Sequence, residues 1–282
     1  MASEFEGACT VVTGGGSGIG LSLAKALAAR GARVAIADID GARALAAAEE
    51  IGHGARGYLC DVSDRQSLAA LAADVEAHLG GASFVFANAG VCIHGSPLHE
   101  TDPAEFDWLF DVNVRGTFNT IHAFAPQVLA QAAGGRPARF VLTGSENSVG
   151  LPFQGVMTAY TATKHAIMAL ADGLRRDLEG SGVGVSIVCP GPVNTGLWDS
   201  RRSRPDRFGG NAPLAGEEAH ASAGFFANFV HPDETARLCL EGMANDEFII
   251  ITEPYIRGFA EKRHAEVQAA LALADERVGS RT

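Results

Sequence analysis

Thr13-Gly14-Gly15-Gly16-Ser17-Gly18-Ile19-Gly20 lies between an apolar, strand-like run at 9–12 and an Ala/Leu-rich helical run at 19–30 that stops at Gly31. A glycine-rich turn between strand and helix offers backbone N–H groups at a helix N-terminus, where a dinucleotide diphosphate can sit. Gly14, Gly18 and Gly20 share three tasks: a sharp turn, close approach of backbone to the diphosphate, and close packing of helix on strand. The spacing is G-x-x-x-G-x-G, which departs from the G-x-G-x-x-G of many dinucleotide sites.

Outward from this turn the same alternation continues. Strand-like runs at 33–37, 57–60, 83–87, 139–143, 183–189 and 247–251 are separated by helical runs at 42–51, 67–79, 104–132 (one or two helices), 156–178 and 233–243. Nearly all-apolar strands alternating with helices predict an α/β fold with a doubly wound parallel sheet and helices on both faces, here one domain over 1–282. Two stretches break the pattern. Residues 194–231 are rich in Gly, Pro, Arg and Ser and long for a connection, which predicts a lid or binding loop. The tail, 255–282, carries a helical pattern at 265–276.

Bulk properties narrow the function. The 282 residues are 47% hydrophobic, and Lys+Arg 22 against Asp+Glu 33 leave a net charge of −11. That balance argues against nucleic acid and against an anionic membrane surface as partners. The single basic run, Arg201-Arg202-Ser203-Arg204-Pro205-Asp206-Arg207, reads as a solvated loop. Cys9, Cys60, Cys92, Cys189 and Cys239 form no C-x-x-C pair, so buried free thiols are expected. The N-terminus shows no signal peptide, and no stretch is long and apolar enough to span a membrane. The protein is expected to be cytoplasmic, and with no His/Cys/Asp cluster at ligand spacing its chemistry is expected to be metal-free.

At the end of the second strand stands Asp38. A carboxylate there can accept both adenosine ribose hydroxyls and repels a 2′-phosphate, and Ile39 rather than a basic residue follows it. Ser17 stands where a cation could otherwise meet that phosphate. These features favour NAD over NADP. Asp40 is the better helix N-cap. Asp61 and Val62 follow the third strand, where a side chain can hydrogen-bond the adenine amino group. Asn88-Ala89-Gly90 follow the fourth, where small residues leave room for adenosine.

Tyr160 and Lys164, in Ala159-Tyr160-Thr161-Ala162-Thr163-Lys164, are four apart and share one helix face. An ammonium that close can stabilise a phenolate. A free phenol titrates near ~10, so neutrality requires a shift of roughly 3 units, about 4 kcal/mol. With Asn113, a Ser-bearing strand end and Pro190-Gly191-Pro192-Val193-Asn194-Thr195, the set resembles the single-domain, NAD-dependent short-chain dehydrogenase/reductases, from the N-terminus to about residue 195. The resemblance implies a Rossmann-type fold. It also implies proton exchange at Tyr160, Lys164 gripping the nicotinamide ribose, a serine on the substrate oxygen, and Asn113 placing a water in a proton relay. It further implies Ile19 at the phosphate–ribose side, Pro190 and Gly191 turning beside the nicotinamide, and the Val193 backbone and Thr195 hydroxyl on its carboxamide. The serine departs from the family pattern, which puts Asn147 at its usual position. Ser145, directly after the strand, is the expected serine, and Ser148 the alternative. Glu146 is either a bystander or an orienting residue.

His94, Phe153, Gln154, Met157 and Trp198 are the expected substrate contacts, with Cys92, Ile93, Leu151, Pro152 and Leu197 beside them. This mostly apolar lining suggests a secondary alcohol or ketone with a hydrophobic body, and Ser203-Arg204-Pro205-Asp206-Arg207-Phe208-Gly209 resembles bacterial family members that act on aryl alcohols. The competing readings are a catalytically idle dinucleotide sensor or scaffold and an NADPH-dependent 3-oxoacyl-type reductase, the latter opposed by Asp38 and by the net charge. The family also implies a homodimer or homotetramer.

Overall fold

The computed structural model describes residues 4–93, 96–152, 157–212 and 229–279. Its strands are β1 (Cys9–Thr13), β2 (Arg33–Asp38), β3 (Arg56–Leu59), β4 (Phe84–Ala87), β5 (Arg139–Thr143), β6 (Gly184–Cys189) and β7 (Ile249–Ile251). They form one parallel sheet in the order β3-β2-β1-β4-β5-β6-β7. The helices are α1 (Gly18–Ala28), α2 (Gly41–Ile51), α3 (Arg65–Leu79), α4 (Pro103–Leu109), α5 (Gly116–Ala133), α6 (Thr158–Asp177), α7 (Pro232–Ala244) and α8 (Arg257–Gly279).

Strand residues alternate between two cores, as the period of a pleated strand requires. Val11, Ala35, Val85, Phe140 and Ile187 pack with Leu68, Val75, Phe124 and Ile167 from α3, α5 and α6. Val12, Ile36, Phe86, Val141 and Val188 pack with Leu23, Leu27, Ala47 and Leu240 from α1, α2 and α7. Each fully buried large side chain contributes roughly 1.5–3 kcal/mol, so both faces are strongly held. All five cysteines are free and buried. No described helix is long and apolar enough to cross a membrane.

Three elements differ from expectation. The 104–132 helical run is interrupted between α4 and α5 by a π-helical turn, Phe110–Arg115, which carries Asn113. The tail helix α8 runs longer than 265–276, because its Ala, Glu and Arg residues continue helix-compatible in both directions. Residues 201–207 are not a solvated loop. Short 3-10 helices at Gly196–Ser203 and Asp206–Phe208 carry them, and Arg201 and Arg204 pair with the buried Glu105 at 2.6 and 3.0 Å.

Because the order reverses between β1 and β4, the carboxyl ends of these strands open a crevice, the position where doubly wound sheets bind ligands.

Candidate active site

The crevice runs from Asp38 and Ile39 past Gly14, Ser17, Gly18 and Ile19 to Ser145, Tyr160 and Lys164. At its first end, Gly14 (φ +63) and Gly18 (φ +53) adopt left-handed conformations that favour glycine. Gly20 stands behind the wall. A Cβ there would lie 2.2 Å from the Gly14 carbonyl oxygen, so only glycine lets α1 approach the turn this closely. Asp38 accepts hydrogen bonds from Gly16 N and Asp40 N, both at 3.0 Å. Asp40 caps α2 by accepting from Arg43 N.

Asp61 and Val62 line the same end. Burial would raise the Asp61 carboxyl, but hydrogen bonds from Ser63 and Arg207 outweigh it and hold the group below its ordinary range. Ala89 and Gly90 line the middle. The Asn88 side chain does more than leave room. It donates to Thr13 O and accepts from Thr143 Oγ1, tying together the ends of β1, β4 and β5.

At the second end Ser145 and Ser148 part company. Ser148 Oγ accepts from Ser145 N and donates to Lys164 O, so it is spent on backbone. Ser145 faces the crevice, where its hydroxyl lowers the Tyr160 pKa and accepts from Asn147 N and Nδ2. Lys164 Nζ donates to Thr143 O at 2.9 Å and lies 5.5 Å from the Tyr160 ring centroid. Burial pulls the ammonium down to about 8.

Burial likewise pushes the Tyr160 phenol up, with the Cys92 thiol adding and Ser145 opposing. Desolvation of the buried phenol is the largest of these effects in the protein alone. Asn113, fully buried behind the wall, accepts from Val91 N at 2.8 Å and donates to Val91 O and to Thr163 Oγ1. Its amide is thus engaged on the loop after β4, and its π-helical setting is one often found at functional sites.

Pro190, Gly191, Val193 and Thr195 line the crevice opposite the glycine-rich turn. A Cβ on Gly18 would come within 3.1 Å of the Thr195 side chain. Met157 and Trp198 join Cys92, Ile93, Trp108, Tyr160, Leu197 and Phe208 in one apolar cluster. His94, Phe153 and Gln154 lie outside the described residues.

The sequence reading missed Thr143, Trp108, Arg43 and Arg202, which also line the crevice. Arg202 sits in the visible basic run, whereas Thr143 matters through a backbone carbonyl, for which no residue-type signal exists.

Residues 8–206 match the family model for short chain dehydrogenase. The chain belongs to this family of nicotinamide-dependent oxidoreductases. Among similar proteins, the C alpha-dehydrogenase of a Sphingobium species is 31% identical over 95% of this chain and 88% of its own. The 1-deoxy-11-beta-hydroxypentalenate dehydrogenase of Streptomyces avermitilis is 38% identical over 77% of this chain and 79% of its own. The crystal structure of a short-chain dehydrogenase/reductase from Burkholderia phymatum in complex with NAD superposes with a TM-score of 0.85 at 31% identity, covering 95% of this chain and 96% of that one.

Proposed function

We propose that this short-chain dehydrogenase is an NAD-dependent enzyme that interconverts a secondary alcohol and a ketone on a hydrophobic, aryl-type substrate. The observation that carries the reading is Tyr160, buried at the inner end of the crevice with Ser145 lining the same wall and Lys164 beside its ring. When bound, NAD supplies a hydride acceptor at the carbinol carbon, or NADH a hydride donor in reverse. Tyr160, as the phenolate, takes the proton of the substrate hydroxyl as the C=O bond forms and becomes the neutral phenol. Ser145 donates to the substrate oxygen and holds it at the phenol. Lys164 supplies the positive charge that favours the phenolate. Asn113 and its π-turn support a water-linked path from Lys164 to solvent.

The residues present fit a dinucleotide. The left-handed Gly14 and Gly18 and the open N-terminus of α1 suit its diphosphate. The Asp38 carboxylate keeps lone pairs for ribose hydroxyls, and its charge disfavours a 2′-phosphate. The cluster of Cys92, Ile93, Trp108, Met157, Leu197 and Trp198 supports an apolar, aromatic substrate body. The name of the Streptomyces relative, a hydroxypentalenate dehydrogenase, is consistent with a hydroxyl-bearing substrate.

Absorbance at 340 nm tests the reading, with aryl secondary alcohols offered alongside NAD or NADP. NAD reduction by a subset is expected. Tyr160→Phe should lower kcat by about 10²–10⁴-fold while NADH binding, followed by fluorescence, stays close to wild type. Full turnover in that variant would refute the assignment of Tyr160.

A further inference from the structure

The basic run at 201–207 has a division of labour that the dehydrogenase reading leaves unused. Three of its four arginines are paired with carboxylates within the protein. Arg201 and Arg204 pair with Glu105 of α4, and Arg207 pairs with Asp61 at 2.7 Å. Arg202 makes no ion pair with a carboxylate among the described residues. Its guanidinium donates instead to the carbonyl oxygens of Gly196 and, at 2.6 Å, Asp199. It is partly buried and lines the crevice.

Its position is fixed by its neighbours. A Cβ on Gly196 would stand 2.6 Å from Arg202 Nη2, and Gly196 follows Thr195, whose side chain lies over Gly18. From α2, Arg43 lines the same stretch of crevice while pairing with Asp40 at 3.0 Å. Burial, and then the nearby Arg43 charge, lower the Arg202 pKa despite Asp199, Asp38 and Asp40. A guanidinium held in a partly desolvated crevice beside a second one, with carbonyl partners alone among the described residues, presents a planar fork suited to an anion.

We propose that Arg202 is a phosphate-binding residue, clamping the diphosphate of the dinucleotide from the lid side, across from the glycine-rich turn. The proposal rests on the crevice being a dinucleotide site. Two phosphates could draw this guanidinium, the diphosphate common to NAD and NADP or the 2′-phosphate of NADP alone. The Asp38 carboxylate opposes the second, while Thr195, next to Gly196 on the Arg202 side, stands over Gly18 and favours the first.

Binding without turnover separates these possibilities. Wild type, Arg202→Gln and Arg202→Lys would be titrated with NADH, NADPH, ADP-ribose and adenosine, by fluorescence or calorimetry. Thermal melting confirms that each variant folds. The expected result is a loss of about 10- to 100-fold in affinity of Arg202→Gln for NADH and ADP-ribose, with adenosine unchanged. Arg202→Lys should recover part of that loss, and the salt dependence of NADH binding should weaken in Arg202→Gln. Loss confined to NADPH would overturn the diphosphate assignment, and unchanged affinity for every ligand would overturn any phosphate role. Failure of wild type to bind NADH or ADP-ribose would refute the dinucleotide site itself.

Discussion

Glu146 stands next to Ser145 in the crevice wall and is almost fully buried. It accepts a hydrogen bond from the Tyr255 hydroxyl. Burial raises its carboxyl from 4.5 to about 7, with the Tyr255 contact opposing and the Glu253 charge adding. Its charge in turn disfavours the Tyr160 phenolate. Because the folded value lies above the unfolded one, the folded protein holds this proton between pH 4.5 and 7 while the unfolded chain releases it. Stability from this group is complete below pH 4.5 and is lost as pH rises through about 7, by at most about 3 kcal/mol. Glu146→Gln keeps an acceptor for Tyr255 but does not titrate. Its melting temperature should gain on wild type steadily from pH 4.5 to 7 and hold that lead above. A lead that is the same at every pH would mean that Glu146 is not the titrating group. Tyr160 and Lys164 are legible from sequence because a four-residue spacing on a helix suffices to put them together. Glu146 is not, since the partner that defines its role lies 109 residues further along the chain.

The lid segment is held by an ion cluster rather than by packing alone. Glu105 of α4 accepts from Arg201 at 2.6 Å and from Arg204 at 3.0 Å, with little solvent at the carboxylate. Removing the carboxylate leaves two guanidiniums close together without their shared anion. Glu105→Ala should cost roughly 1.5–3 kcal/mol, several degrees of melting temperature, from the lost charged hydrogen bonds. It should also raise KM for the alcohol more than it lowers kcat, because Leu197 and Trp198 ride on the same segment. Unchanged stability and KM would mean that the lid is held by its apolar contacts with Trp108 and Phe208. At this scale the strands and most helices are legible, since hydrophobic period and glycine punctuation are local. The lid is not, because a Gly-, Pro- and Arg-rich text reads as coil until its charges find Glu105, 96 and 99 residues earlier. The π-turn is hidden for a similar reason. Asn113 is drawn to the Val91 backbone, 22 residues before it, and no local pattern announces that contact.

At the scale of the whole molecule, α8 stands out as a helix of 23 residues, about 35 Å long, that buries none of them. Its start is anchored. Tyr255 reaches Glu146, and a Cβ on Gly150 would stand 2.8 Å from Phe259. Further along, Val267, Leu271 and Val278 are about half exposed, and Phe118 and Leu129 are exposed on α5. Most helical stability in proteins comes from packing of an apolar face, and none of this helix is buried against the described residues. A second copy of the chain is the expected source, giving a homodimer or homotetramer. Light scattering should then report two or four times 29.3 kDa. Val267→Glu with Leu271→Glu separates packing between copies from a helix that simply stands in water. On a solvated helix such changes stay within about 0.5 kcal/mol and alter no mass. In an interface they place two charges where apolar area was buried, so the mass should fall and the melting temperature become lower and less dependent on protein concentration. A wild-type protein that remains monomeric at every concentration would instead assign the helix to solvent, with Tyr255 holding the start of the tail to Glu146 in the crevice wall.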